Sequence, residues 1–101
     1  IIPGLVGSEM CIRDRDNAVD FTKSMVQNSA PVSIAVTRQM LWRSLEGLGP
    51  YDAHVIESKA IDSRGASEDA KEGVSSFLEK RPAKFKNKVS SDMPKFFPWW
   101  E

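Results

Sequence analysis

Two groups of side chains in this sequence could do chemistry. Three carboxylates, Glu68, Asp69 and Glu72, fall within one short stretch, and a run of cations, Lys80, Arg81, Lys84, Lys86 and Lys88, comes after them with no acid among them. Paired carboxylates can move protons when a dry pocket separates their pKa values. Here two of the three stand in the first turn of a predicted helix, where capping and the helix dipole account for them, so none is taken as catalytic. His54 is the only histidine, and no serine or cysteine stands with it in a nucleophile motif. Gly47-Leu48-Gly49 is a helix stop and not a phosphate cradle. No Cys/His cluster offers a metal site. The basic run is either a solvated surface or a phosphate-binding patch, since ammonium and guanidinium groups pair strongly with phosphate oxygens.

The elements that must position these groups are helical. Asp16 to Asn28 has Ala18, Phe21 and Met25 on one face, with Asp14, Asp16 and Asp20 near its expected start. Pro31 ends that helix and opens a second, which runs to about Leu45. Ile34, Leu41, Leu45 and Leu48 form one apolar stripe of the second helix, and Val32, Val36, Met40 and Trp42 form another, so burial is expected on more than one side. After the stop at Gly47 to Pro50, Tyr51 to Ser63 reads as a third helix with Ala53, Ile56 and Ala60 inward and Gly65 as a left-handed terminator. Ser67 caps a fourth helix whose stripe is Ala70, Val74, Phe77 and Leu78, closed by Pro82. No alternating run reads as a strand. The remainder, 83–101, is a basic and aromatic tail that Pro94 and Pro98 keep out of regular structure.

Composition sets bounds. One hundred and one residues with 41% hydrophobic side chains make one small domain of marginal stability. Fourteen basic and 14 acidic residues cancel, so overall charge argues neither for a nucleic-acid partner nor for an anionic membrane. The single cysteine, Cys11, cannot form an internal disulfide and fits a reducing, cytoplasmic setting. No apolar run reaches the ~20 residues of a membrane span.

The stretch from Ser67 to Phe85, with Glu72-Gly73-Val74 and Phe77-Leu78-Glu79-Lys80-Arg81, resembles the last helix of the crotonase (enoyl-CoA hydratase/isomerase) family. Asn28-Ser29-Ala30-Pro31-Val32-Ser33, Ala35 to Arg43 and the tail from Ser90 to Trp100 are similar to successive parts of the same family. The resemblance covers residues 16–101. It implies an all-α fragment, the C-terminal helical assembly region (16–82, with tail 83–101) of a ββα-spiral α/β protein. In that family the spiral core carries the oxyanion hole and the proton-transfer acids, and none of it is present in this sequence, so the chain alone is expected to be inactive.

By the same resemblance the parent acts on acyl-CoA thioesters, needs no cofactor beyond the coenzyme A of its substrate, and assembles as a trimer or hexamer. Phe77 and Lys80, three apart on one helix, would contact coenzyme A, whose phosphates suit the basic run. The aromatic tail is expected to strap a partner subunit. Hydratase, isomerase, dehalogenase, hydrolase and decarboxylase chemistry all stay open. The rival from a different class is a free-standing helical interaction module with a basic-aromatic tail.

Residues 1–15 lack a sustained period. Leu5 to Asp14 resembles a peptide found at the ends of proteins translated from environmental reads, where it derives from sequencing adapter. The chain also begins at Ile1 rather than Met. The segment therefore reads as a non-native leader, and its deletion is expected to leave helicity and melting unchanged.

Overall fold

The computed structural model describes the backbone of residues 3–101 and the side chains of residues 11–101. It contains four helices: α1 (Pro3–Val26), α2 (Pro31–Ser44), α3 (Pro50–Gly65) and α4 (Glu68–Leu78). Among the described residues there is no strand. Pro31 and Pro50 each take the first position of their helix, where a missing N–H costs nothing. Gly47 lies at φ 93°, a left-handed conformation that suits glycine and turns the chain between α2 and α3. The side chain of Ser67 accepts the Ala70 N–H at 3.2 Å and starts α4.

Three boundaries depart from the sequence expectation. The first helix does not begin near Asp16; it runs from Pro3, so Asp14, Asp16 and Asp20 sit inside it and not in its first turn. Helix formation depends on backbone hydrogen bonding, which an aperiodic side-chain pattern does not forbid. The side chains of Ile1 to Met10, including the apolar start Ile1–Val6, lie outside the described residues. Gly65 is the last residue of α3, with Ala66 after it in a right-handed conformation, and is not a left-handed terminator. Helix α4 stops at Leu78, well before Pro82.

The core is small. Val32, Val36 and Ala60 are the buried hydrophobic residues, with Met40, Met93 and Phe96 packed against them. One stripe of α2 meets the inner face of α3 there. The other is uncovered: Leu41 and Leu45 are exposed, as is Trp42. Every residue from Cys11 to Met25 of α1 is exposed, Phe21 among them. The radius of gyration is 18.1 Å, against about 13 Å for a compact chain of this length. The accessible surface is 8135 Å², against about 5,700 Å² for a compact monomer of this mass.

Residues 82–101 do not stretch away from the helices. Met93 and Phe96 reach the core of their own chain. Phe96, Phe97, Trp99 and Trp100 stack in a chain of ring contacts 5.1–6.1 Å between centroids, and the Arg43 guanidinium of α2 lies 3.9 Å from the Trp100 ring centre. Within the chain, the tail lies over α2 and α3.

Removing residues 1–15 is expected to lower the helical circular dichroism by the share of the deleted turns. It should leave the melting midpoint of the α2–α3–α4 unit unchanged, since no residue from 11 to 25 is buried. A midpoint lowered by several degrees in a thermal melt would show that α1 packs on that unit.

Candidate functional site

Helix α4 and the segment after it gather the charged residues singled out in the sequence. The burial of α4 runs opposite to its hydrophobic pattern. Asp69 and Ser76 are its buried residues, 2% and 5% exposed, while Val74, Phe77 and Leu78 are 62%, 81% and 73% exposed. The apolar stripe faces away from the body of the chain.

The reason lies in the carboxylates. One oxygen of Asp69 accepts the backbone N–H groups of Lys86 and Asn87 at 2.8 and 3.1 Å. From α3, Arg64 donates to the Asn87 side-chain oxygen at 3.0 Å. Glu72 accepts the Lys84 N–H at 3.0 Å and is gripped by both terminal nitrogens of Arg81, Nη2 at 3.2 Å. Phe85 lies over Gly73, where an ideal Cβ would stand 3.8 Å from the ring. Asp92 accepts the Lys88 N–H at 2.7 Å and turns the chain toward Met93. The extended segment thus finds partners for its backbone on the polar face of α4, and that face is turned inward to supply them.

Nothing in the residue spacing marks these groups as a unit. The signal that could have found them is the acid triplet standing opposite an acid-free basic run. Asp69 and Glu72 pair with that run and with its backbone, while Glu68 pairs with Lys71 on its own helix at 3.1 Å, so none of the three stands apart as a free base. Arg81 is consequently engaged by Glu72 and by Glu79. Hydrogen bonds from Arg81 and from the Lys84 N–H hold the Glu72 carboxyl at a pKa of about 2, below the ordinary 4.5. The Lys88 N–H likewise holds Asp92 below its ordinary value.

Phe77 and Lys80 do not share a helical face as expected. Phe77 is in the last turn of α4, and Lys80 lies past the helix end at φ 54°. There its N–H bonds to Phe77 O at 3.2 Å while Arg81 N–H bonds to Ser76 O at 3.0 Å. This is the Schellman closure of a helix, with lysine at the position glycine favours. Both Phe77 and Lys80 are exposed, and Lys80 makes no ion pair among the described residues. His54 and Cys11 are also exposed. Among the described residues no three His, Cys, Asp or Glu side chains gather as a metal site, and no helix is long and apolar enough to cross a membrane.

The carboxylate contacts can be tested one at a time. Asp69→Ala should destabilise the chain by roughly 1–3 kcal/mol, because two backbone N–H groups lose their shared acceptor; urea titration checks it, and a loss below the error of the measurement would mean the segment is held elsewhere. Glu72 is depressed in the folded chain, so its contribution is full above pH 4.5 and lost as pH falls toward about 2. The Lys84 amide should therefore lose hydrogen-exchange protection across that window in the wild type and show no such step in Glu72→Gln.

No family model matches the chain. Among curated proteins it is similar to three enoyl-CoA hydratases of Alternaria alternata, ACTT3, AFT3-1 and AKT3-2, each 37% identical over 70 residues. The matched stretch is 69% of this chain and 23% of each relative, so the chain spans less than a quarter of the length of the relatives it matches. Over that stretch the chain is homologous to enoyl-CoA hydratases. Four helices and no strand among the described residues are consistent with a C-terminal helical fragment of the crotonase fold.

Proposed function

We propose that this chain is the C-terminal helical region of a crotonase-family enzyme that acts on acyl-CoA thioesters, and that it serves subunit assembly and closure of the coenzyme A pocket. The observation that carries this reading is the outward apolar stripe of α4, ending at a free lysine. Val74, Phe77 and Leu78 are exposed on a helix whose polar face is already packed. An apolar helix face of this kind calls for cover, by a ligand or by another subunit. Lys80 stands at the end of that stripe in a left-handed conformation that costs a non-glycine residue about 1 kcal/mol or more. A strained residue whose charge is unpaired among the described residues points to a use for the charge. Phe77 would pack on the adenine or the acyl chain, and the Lys80 ammonium would meet a phosphate of coenzyme A. The exposed apolar stripes of α1 and α2 would be covered in a trimer or hexamer.

The test is a pair of variants in the full-length enzyme. Losing one charge-assisted contact should cost about 1.5–3 kcal/mol. Lys80→Ala is therefore expected to raise KM for the CoA thioester by about tenfold or more with kcat little changed, and to do so less for a substrate truncated at the nucleotide. Lys80→Gly should raise KM equally while stabilising the fold by about 1 kcal/mol, since it relieves the left-handed strain. A KM unchanged in both variants, or raised equally for both substrates, removes Lys80 from the site.

A further inference from the structure

Arg81 stands in the basic run that would meet an anion, yet each nitrogen of its guanidinium already has a partner. Its two terminal nitrogens hold Glu72 and its Nε holds Glu79. A phosphate reaching the Arg81 guanidinium would have to displace one of these two carboxylates. The backbone of Arg81 is engaged as well, since its N–H closes the end of α4 on Ser76 at 3.0 Å. The Glu72 oxygen that takes Nη1 also takes the Lys84 N–H at 3.0 Å, on the far side of Pro82. One carboxylate therefore bridges both ends of the loop 80–84, and Lys80 lies at the near end of that loop.

Lysine resists the left-handed conformation that Lys80 adopts. The backbone bonds that close α4 hold Lys80 in that conformation, and the Glu72–Arg81–Lys84 contacts span the loop that follows it. A bidentate arginine–carboxylate pair fixes direction as well as distance, which a single ammonium contact does not.

We propose that Glu72 and Arg81 are positioning residues, a clasp that sets the loop 80–84 and so aims the Lys80 ammonium at an anionic ligand, with Arg81 making no contact to that ligand itself. The identity of the anion rests on the acyl-CoA reading above; the clasp does not.

Two measurements decide it. In the 101-residue chain, Glu72→Gln and Arg81→Met should each lower amide exchange protection at Lys80, Arg81 and Lys84 by about tenfold or more, with the α2 and α3 amides unchanged as the control for folding. Unchanged protection at those three amides overturns the clasp. In the full-length enzyme, Arg81→Met should raise KM for an acyl-CoA thioester about as much as Lys80→Ala, leave kcat in place, and add nothing in the Lys80→Ala/Arg81→Met double variant, because it acts through Lys80. Additive effects would make Arg81 an anion contact in its own right and overturn the positioning role. A Lys80→Ala enzyme with unchanged KM sinks the acyl-CoA reading, while the exchange result still decides the clasp by itself.

Discussion

The buried carboxylate of Asp69 is the contact on which the rest of this structure depends. It is 2% exposed and accepts two consecutive backbone N–H groups from a segment with no regular structure of its own. An extended segment laid on a helix must satisfy its N–H groups somewhere, and an ionised acceptor is among the strongest available. With Arg64 holding Asn87 from α3, this contact ties α3, α4 and the tail together. It also sets the direction of the last residues of the chain, since the turn at Asp92 delivers Met93 and Phe96 to the core and Trp100 to Arg43.

The same contact turns α4 over. A helix cannot present its polar face to a backbone segment and its opposite, apolar face to the same body. Once Asp69, Glu72 and Ser76 face inward, Val74, Phe77 and Leu78 must face out. This leaves a core of three buried hydrophobic residues and uncovered apolar faces on α1, α2 and α4. Few buried side chains give little hydrophobic stabilisation to set against the entropy of ordering the chain. The polar contacts of the tail therefore hold a larger share of this fold together than they would in a well-packed domain. The loop at Lys80 shows the consequence, because its backbone is held in place by charge pairs and hydrogen bonds.

Much of the chain is legible from local chemistry. The prolines at 31 and 50, the serine at 67 and the glycine at 47 act on their own backbone or on neighbours within one turn. They place α2, α3 and the start of α4 from sequence, and the period of α3 puts Ala53, Ile56 and Ala60 on its inner face, where the structure has them. The expectations that fail concern which partner a surface meets. The stripe of α4 is legible as a stripe, but its direction is not. The aromatic tail is legible as sticky, but the surface it sticks to is not. Counting residues puts Lys80 on a helical face; it lies beyond the helix end because Arg81 and Ser76 close the helix before it.

By itself the sequence determined the helical class, the punctuation between α2, α3 and α4, the resemblance to enoyl-CoA hydratases and the separation of an acidic helix start from a basic run. These depend on backbone sterics and on residues near one another in the chain. Only the tertiary structure decided that Asp69 and Glu72 of α4 meet the backbone of residues 84–87 and the cation of Arg81, that the polar face is the inner one, and that Lys80 has no ion pair among the described residues while Arg81 is engaged. Those outcomes turn on which of several competing partners satisfies a buried hydrogen-bonding group. That competition is settled between residues 9 to 18 positions apart, beyond the reach of any helical or strand period.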